Sequence, residues 1–329
     1  MKNVAVIGSG SWGLALANHM AILGNNVKVW SFTQKEKDLI NLEHRSELMQ
    51  GIEINPKVTC SNSIKDVVEN ANYIFHVTPS KFARETFKQY KDYVFNKPVI
   101  ICSKGLEEES LTTLDTVFKE ELPNVKTAVL SGPSFAIEVA SHIPTAILLA
   151  SEDKILLQEI SEFLSDETMR IYKSTDVIGV EVGGALKNII AFCIGVAVGL
   201  NFGTNSQAAL MTRGLAEISR LGVKMGGKSE TFFGLSGLGD LILTCSSDES
   251  RNRRAGKLIA KGLTIEETRN EIKATIESID NIQIAKKLAE KYNVEMPIVN
   301  SANEVLFNGL TAQEAAKKLM TRNLKYENE

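Results

Sequence analysis

A glycine-rich turn near the start of the chain constrains its fold more than any other feature. Residues 8–13, Gly-Ser-Gly-Ser-Trp-Gly, follow an apolar strand-like run and open an amphipathic helical pattern. In such a turn Gly8 permits the tight bend, Gly10 lets backbone approach a pyrophosphate and Gly13 lets the helix lie close to the sheet. The helix N-terminus adds free N–H groups and the positive end of its dipole. A strand before the turn and a helix after it predict a dinucleotide site, in preference to a purely structural glycine turn.

Short apolar segments alternate with helical patterns through the first half of the chain. Their nearly continuous apolar character is typical of parallel strands that are covered on both faces. The alternation predicts an α/β fold, a Rossmann-type doubly wound sheet with right-handed crossovers. The predicted strands are Asn3–Ile7, Val27–Trp30, Tyr73–Val77, Val99–Cys102, Thr127–Leu130 and Ala146–Leu149.

Beyond about residue 180 only helical periodicity remains, broken by glycine-rich joints. A chain of 329 residues suits about two domains. We therefore predict a dinucleotide-binding domain at 1–180 and an all-helical substrate-binding and catalytic domain at 181–329, joined near residues 175–182. The helices predicted here are Ala185–Leu200, Gln207–Leu221, Arg253–Ala260, Ile265–Arg269, Ile279–Tyr292, Val299–Phe307 and Ala312–Leu319.

Two short helices and the tail carry local signals. Thr264 with Glu267, and Thr311 with Glu314, have the spacing of capping boxes that begin a helix. The last five residues, 325–329, lie beyond the final helical pattern, and we expect them to be frayed.

Charge and cysteine usage exclude several classes of protein. The formal net charge of −3 argues against a nucleic acid or a membrane surface as a partner bound through global charge. The four cysteines form no C-x-x-C pair and have no close histidine, so no metal site is predicted. Cys102 and Cys193 lie in apolar runs and are expected to be buried, as free thiols that fit a reducing compartment.

No segment predicts a membrane span. The N-terminal apolar run stops at Gly8 and is too short for a signal peptide. The most apolar stretch, Ile189–Leu200, is well below the roughly 20 residues that a bilayer requires. We expect it to be a buried helix, and we expect the protein to be cytoplasmic.

The second predicted strand leaves the choice of dinucleotide open. An acidic residue about 20 positions after the glycine turn would bind the 2′-hydroxyl of NAD. No Asp or Glu precedes Glu36 here, yet no arginine is present to bind the 2′-phosphate of NADP. Phe32 either stacks on adenine or packs against the protein. The cofactor is therefore expected to be NAD(P)H, with the preference unresolved.

Seven segments together resemble the bacterial NAD(P)-dependent glycerol-3-phosphate dehydrogenase family. They run in the family's order and span nearly the whole chain. The resemblance implies reversible hydride transfer between NAD(P)H and dihydroxyacetone phosphate, which supplies sn-glycerol 3-phosphate for glycerophospholipid synthesis. It also implies a two-domain fold with the site in the cleft. The segments are Gly8–Gly13, Val77–Ser80, Cys102–Glu107, Leu130–Ala136, Glu181–Asn188, Gly234–Leu241 and Ser250–Arg253.

Lys187 is the expected proton donor. It stands in an apolar helix, where burial would lower its pKa towards the operating pH. Gly183 and Gly184, one turn earlier, are expected to leave open space beside it. Its charge would also stabilise the developing alkoxide. The residues alone allow a surface lysine at a helix end instead, whereas the resemblance implies catalysis.

The resemblance also implies the residues that contact the substrate. Asp240 follows a glycine-rich loop, where an N-cap role is an alternative or an addition. Arg251 suits bidentate contact with phosphate, and cationic residues at a helix start favour a bound anion over a merely solvated basic surface. The substrate residues implied are Lys104, Gly132, Ser134, Lys187, Asp240, Ser250, Arg251 and Asn252.

A second set is implied to bind the cofactor. Glu277 is carried over although Ser278 stands where the family usually has glycine, and the segment after Trp30 also departs from the family pattern. The implied cofactor residues are Gly8, Gly10, Ser11, Trp12, Gly13, Phe32, Lys104, Ala136, Arg251, Thr275 and Glu277.

Three alternatives stay open from the residues alone. His142 is the only rival to Lys187 as the acid, because His76 and His19 lie in elements predicted to be buried. The enzyme could act on a 3-hydroxy acid or on another 2-hydroxy phosphate, since the same layout would serve. A non-enzymatic dinucleotide sensor would need no proton donor in the cleft.

A homodimer is the commonest assembly for such a chain.

Overall fold

The computed structural model describes residues 1–324 and 326–327. Lys325, Asn328 and Glu329 lie outside the described residues, so the fraying expected for the tail falls largely outside them.

Within the residues that the structure describes, ten strands form one large sheet and one small hairpin. The strands are β1 (Asn3–Ile7), β2 (Asn26–Trp30), β3 (Val58–Ser61), β4 (Tyr73–His76), β5 (Val99–Ile101), β6 (Leu106–Glu107), β7 (Thr112–Thr113), β8 (Thr127–Ser131), β9 (Thr145–Ala150) and β10 (Met169–Ser174).

Sixteen α-helices are found in the described residues, and those from α8 onwards build the C-terminal lobe. They are α1 (Ser11–Ile22), α2 (Gln34–Glu43), α3 (Ile64–Val68), α4 (Ala83–Lys88), α5 (Leu114–Glu121), α6 (Ala136–Ala140), α7 (Lys154–Leu164), α8 (Val177–Gly199), α9 (Thr204–Lys224), α10 (Ser229–Phe232), α11 (Asp240–Ser246), α12 (Arg251–Ala260), α13 (Ile265–Ile272), α14 (Glu277–Tyr292), α15 (Pro297–Phe307) and α16 (Ala312–Met320). Both predicted capping boxes are present, at Thr264 and Thr311.

The large sheet has the strand order β3-β2-β1-β4-β5-β8-β9-β10. The first six strands in this order are parallel to one another, as the predicted doubly wound fold requires. The order reverses between β1 and β4. The crevice at the carboxyl ends of these two strands is where open α/β sheets bind ligands.

The sheet departs from the parallel pattern at one edge. β9 pairs antiparallel with β8, and β10 then pairs parallel with β9. The reason is the connection between β8 and β9, whose only helix, α6, has five residues. A helix that short cannot carry the chain back along the length of a strand, so β9 returns in the opposite direction.

Two edge strands and the small hairpin are absent from the sequence prediction. β3 and β10 lie at opposite edges of the sheet and mix buried with exposed side chains. Their sequences, VTCS and MRIYKS, therefore lack the apolar run by which the central strands were recognised. The hairpin of β6 and β7 has only two residues in each strand.

Helix α8 forms the centre of the molecule. Its length and hydropathy are sufficient to cross a membrane, but 78% of its most apolar window is buried inside the fold. The predicted burial of Ile189–Leu200 is therefore confirmed for most of its residues. The first turn of α8 packs on the sheet through Val177 and Val180, and the rest of the helix forms the core of the helical lobe. This one helix therefore joins both lobes.

Candidate active site

The glycine turn between β1 and α1 has three glycines with different constraints. Gly8 has a φ of +126°, and a Cβ atom there would lie 3.0 Å from the carbonyl oxygen of Val77. A Cβ at Gly13 would lie 2.1 Å from the carbonyl oxygen of Gly8, so this position closes the helix onto the strand. A Cβ at Gly10 would meet nothing within 4 Å. The turn thus keeps open space before the N-terminus of α1, and a pyrophosphate fits such a cradle.

The side chains of this turn are mostly engaged by the protein. The Ser11 hydroxyl donates to the carbonyl oxygen of Leu48 at 3.0 Å. Ser9 donates to the Ser31 hydroxyl at 2.9 Å. The indole Nε1 of Trp12 is buried and has no hydrogen-bond partner among the described residues. Backbone N–H groups are therefore what the turn offers to an anion.

The segment after β2, residues 32–35, is exposed and contains no carboxylate. Phe32 is 87% exposed, so the interpretation that it packs against the protein is wrong. Glu36, the first acidic residue, is buried and accepts a hydrogen bond from Ser46. Lys35 pairs with Glu47 at 2.7 Å. An aromatic face is thus available at this edge, whereas the nearest carboxylate is turned inward.

Lys187 lies in the middle of α8, because this helix begins ten residues earlier than the lysine, at Val177. Its side chain is 7% exposed. The ammonium donates to Oδ1 of Asp240 and, at 2.7 Å, to the hydroxyl of Thr244. A surface lysine is therefore excluded, and the charge is held by specific acceptors.

Asp240 joins two ammonium groups. Its Oδ1 atom accepts from Lys187, while its Oδ2 atom accepts from Lys104 at 2.8 Å. Lys104 also donates to the carbonyl oxygen of Gly132 at 2.9 Å. Asp240 is the first residue of α11 and follows a π-helical turn, Leu235–Gly239, so it is not the N-cap. π-Helical turns recur at functional sites, and here the turn delivers a buried carboxylate between two lysines.

The electrostatics of this group lower the proton affinity of Lys187. Burial is the largest influence and lowers the pKa of the lysine to about 8, and the nearby charge of Lys104 acts in the same direction. The carboxylate of Asp240 opposes both and keeps the pKa from falling further. An ammonium with a pKa near neutrality can both release and regain a proton during turnover.

The two glycines before Lys187 have another role than the expected one. A Cβ at Gly183 would lie 3.0 Å from the carbonyl oxygen of Ser236, and one at Gly184 would lie 2.6 Å from the Ser131 hydroxyl. The expectation of open space is therefore wrong. The missing side chains let the π-helical turn and the end of β8 pack directly on α8.

Thr244 is a site residue that the sequence reasoning missed. Its hydroxyl accepts from Lys187 and donates to the backbone carbonyl of Asp240 at 2.6 Å. The available signal was its position four residues after Asp240, on the same face of a helix.

The N-terminus of α12 brings the predicted phosphate residues together. The Ser250 hydroxyl caps the helix by accepting from the N–H of Arg253 at 3.2 Å. Asn252 donates to the Asn188 side chain at 3.0 Å and accepts from the N–H of Ser278, also at 3.0 Å. These contacts tie α12 to α8 beside Lys187, whereas the Arg251 side chain is exposed.

Glu277 links the helical lobe to the sheet. As the first residue of α14, it accepts at 2.8 Å from Ser80, which follows β4. Burial raises the pKa of Glu277, and the charge of Arg251 acts in the opposite direction. The predicted Arg251 and Glu277 are thus brought close together at the edge of the crevice.

The remaining predicted residues lie along the same edge of the sheet or beside Glu277. Gly132 has a φ of +129° and follows β8, and its carbonyl oxygen also accepts from Ser134 at 3.0 Å. Ala136 begins α6. Thr275 is half-buried and stands two residues before Glu277.

The histidines divide as the sequence predicted. His19 and His76 are buried and hydrogen-bonded within the fold. His142 is exposed after α6, and no hydrogen bond in the described part of the chain joins it to Lys187 or Asp240. Among the described residues, no group of three or more His, Cys, Asp or Glu side chains could hold a metal ion.

Comparison with known families accounts for nearly the whole chain. The model of the NAD-dependent glycerol-3-phosphate dehydrogenase N-terminus matches residues 3–157. The model of the C-terminus of the same enzymes matches residues 176–317.

Individual relatives agree with these matches. A curated glycerol-3-phosphate dehydrogenase (NAD(P)+) from Fusobacterium nucleatum is 43% identical and covers 99% of both chains. The crystal structure of a glycerol-3-phosphate dehydrogenase from Coxiella burnetii has a TM-score of 0.95 at 36% identity, over 98% of this chain and 99% of that one. A Plasmodium falciparum glycerol-3-phosphate dehydrogenase, 21% identical, shares the fold with a TM-score of 0.89 over 99% of this chain and 97% of its own.

Proposed function

The chain belongs to the family of NAD-dependent glycerol-3-phosphate dehydrogenases, and we propose that Lys187 is the proton donor and acceptor with which it interconverts dihydroxyacetone phosphate and sn-glycerol 3-phosphate. The cofactor NAD(P)H supplies the hydride when it is bound. One observation carries the proposal: a buried ammonium on α8 is fixed by a carboxylate that also holds Lys104.

In the reductive direction Lys187 transfers a proton to the oxygen of the substrate ketone. Asp240 and Thr244 fix the direction of its N–H groups. The positive charge of Lys104 beside the same carboxylate adds to the stabilisation of the developing alkoxide. In the oxidative direction the neutral Lys187 accepts the proton of the alcohol, so both directions use one group.

The phosphate of the substrate is assigned to the N-terminus of α12. Arg251 is exposed there and supplies the planar guanidinium that suits phosphate oxygens. Asn252 has one amide N–H left after its contact with Asn188, and Ser250 retains its hydroxyl proton. Gly132 and Ser134 complete the substrate residues from the sheet side.

The cofactor is assigned to the crevice between β1 and β4. The open space before Gly10 receives the pyrophosphate, and the N–H groups of residues 11–13 face it. The exposed ring of Phe32 stacks on adenine. Lys104, Ala136, Arg251, Thr275 and Glu277 line the nicotinamide half.

The wider setting of the enzyme follows from the same assignment. We place the boundary between the dinucleotide-binding and helical domains near residue 180, inside α8. The product would enter glycerophospholipid synthesis in the cytoplasm. We also propose a homodimer, formed through an exposed face of the helical lobe.

Lys187→Ala tests the assignment by initial rates with dihydroxyacetone phosphate and either NADH or NADPH. Removal of the proton donor should lower kcat by about 10² to 10⁴-fold. Cofactor binding, followed by fluorescence, should be unchanged because the glycine turn is untouched. Lys224→Ala, at an exposed helix end, is the matched control. Turnover close to that of the unsubstituted enzyme in Lys187→Ala would refute the role.

A further inference from the structure

A buried histidine lies behind the active-site edge of the sheet. His76 is the last residue of β4 and is fully buried. One of its ring nitrogens is 2.9 Å from the hydroxyl of Tyr90, and the other is 2.7 Å from the hydroxyl of Thr78. Burial lowers the pKa of His76 to about 3, so the ring is neutral. A neutral imidazole donates through one nitrogen and accepts at the other, and both are satisfied here.

The network continues to the neighbouring strand end. The backbone carbonyl of Thr78 accepts from the Ser103 hydroxyl at 2.5 Å. Ser103 directly precedes Lys104, which donates to Asp240. On its other side, the Thr78 backbone abuts the glycine turn, since a Cβ at Gly8 would lie 3.3 Å from the Thr78 nitrogen. Hydrogen bonds, together with the covalent links within Thr78 and between Ser103 and Lys104, thus connect Tyr90 to Asp240, which also holds Lys187.

We propose that His76 is a positioning residue for the reaction, which through Thr78 and Ser103 fixes the strand end that carries Lys104. The inference rests on the proposed roles of Lys104 and Lys187. His76 does not touch the reacting atoms. Its ring joins two hydroxyl groups where the side chain is fully buried, and a buried network that is fully satisfied holds its members rigidly.

The position of Lys104 influences the pKa of the proton donor, Lys187, through its charge. The titratable and charged groups facing Lys187 are Asp240 and Cys245 from α11 and Lys104 from the segment after β5. Among them, Lys104 lowers the pKa of Lys187. If the network loosens and Lys104 moves away, the pKa of Lys187 must rise. A purely structural role for His76 would change stability without moving this pKa.

Two variants break the network without creating a cavity. His76→Phe keeps a ring but removes both hydrogen bonds, whereas Tyr90→Phe removes only the hydroxyl at the far end. His76→Gln keeps a donor and an acceptor and should rescue. Tyr73→Phe is the matched control: it lies at the other end of β4, where its hydroxyl donates to Glu159 at 2.5 Å.

The measurement is the pH profile of kcat/KM for dihydroxyacetone phosphate reduction, with the thermal midpoint recorded for each variant. We expect His76→Phe to raise KM by about three- to tenfold, the effect of one or two lost hydrogen bonds. The alkaline limb of the pH profile should move to higher pH by about half a unit. We expect the same direction of shift for Lys104→Ala, which removes the charge of Lys104 altogether. Tyr90→Phe should show the same changes to a smaller extent, and His76→Gln and Tyr73→Phe should match the unsubstituted enzyme.

The inference is overturned if His76→Phe and Tyr90→Phe keep the KM and alkaline limb of the unsubstituted enzyme, or if Tyr73→Phe shifts them equally. If His76→Phe does not fold, Tyr90→Phe decides alone. Failure of the proposed function is distinct, because then the unsubstituted enzyme would not turn over or Lys187→Ala would remain active.

Discussion

At the scale of single residues, the site depends on one carboxylate that serves two cations. Asp240 is 1% exposed and accepts one ammonium on each oxygen. An isolated buried carboxylate would be costly, and two lysines more than compensate its charge. The group therefore carries excess positive charge, which suits an anionic substrate and an alkoxide-like transition state.

The pKa of Lys187 gives opposite pH dependences for the two directions. Reduction needs the ammonium form, so kcat/KM should fall as the pH rises through about 8. Oxidation needs the neutral amine, so kcat/KM should rise through the same value. Initial rates between pH 6 and 10 in both directions test this. Limbs of the same sign in both directions would contradict a single group acting as acid and base.

The glycine turn offers a separation of folding from binding. Gly13→Ala would place a Cβ 2.1 Å from a carbonyl oxygen and should cost about 1 to 3 kcal/mol of unfolding free energy. Gly10→Ala meets no protein atom within 4 Å, and at a φ of −67° the backbone tolerates alanine. This variant should change the free energy of unfolding in urea by less than about 0.5 kcal/mol. It should nevertheless weaken NADPH binding by about tenfold or more.

Fluorescence titration of Gly10→Ala with NADPH decides the second half of that prediction. Unchanged affinity would mean that the pyrophosphate does not lie against Gly10.

The sequence predicted Lys187, Lys104 and Asp240 as site residues, since each stands in a recognisable segment. It did not predict that one carboxylate joins both lysines, because these residues are far apart in the chain and meet only through the π-helical turn before Asp240. Thr244 was not predicted as a site residue for a related reason. A threonine inside a helix has no special sequence signature until its hydrogen-bond partner is known.

At the scale of elements, the sequence predicted the central strands of the sheet, because strands that are buried on both faces have a nearly continuous apolar sequence. β1 was predicted with its exact bounds, and β4, β5 and β8 to within one residue at either end. The antiparallel direction of β9 was not predicted, because the direction of this strand depends on the length of α6 rather than on any pattern in the strand itself.

Helix α8 packs in close contact with α12, because glycines stand where the two helices meet. A Cβ at Gly195 would lie 2.0 Å from the carbonyl oxygen of Arg253. Gly195→Ala should therefore push α12 away, strain the bond between Asn188 and Asn252, and raise KM for dihydroxyacetone phosphate. It should also cost about 1 to 3 kcal/mol of unfolding free energy.

Gly203→Ala is the control for this helix contact. Gly203 precedes α9, where a Cβ would meet no atom within 4 Å. The expected cost is below about 1 kcal/mol, with KM unchanged. If Gly195→Ala leaves KM unchanged as well, the position of α12 does not govern phosphate binding.

At the scale of the whole molecule, α8 makes the two lobes a single unit. Glu181 lies near the beginning of α8. It accepts a hydrogen bond at 3.2 Å from the N–H of Asp115, the second residue of α5 in the other lobe. Its second oxygen, Oε2, is buried and has no partner among the described residues. Burial, aided by the charge of Asp115, raises the pKa of Glu181 from 4.5 to about 8.

This raised pKa makes the stability of the joined lobes depend on pH. The folded state favours the protonated carboxyl, so its stabilising contribution is complete below about 4.5 and is lost as the pH rises through about 8. Glu181→Gln resembles the protonated form at every pH and should raise the unfolding free energy at pH 8 by about 1 to 3 kcal/mol, with little change at pH 5. Glu217 is a second buried carboxyl, and burial raises its pKa to about 7. It differs from Glu181 in its hydrogen bonds, because both its oxygens already accept N–H groups, from Ile298 and Val299.

Urea unfolding at pH 5 and pH 8 separates the two glutamates. In Glu217→Gln an amide replaces an accepting oxygen, so this variant should lose stability at pH 5, where Glu181→Gln should not. The depressed pKa of Lys187 acts in the opposite sense, but only between about 8 and 10.5, and does not obscure the comparison. A gain that is equal at both pH values in Glu181→Gln would show that Glu181 is ionised in the folded protein, and that the contact between the lobes does not retain a proton.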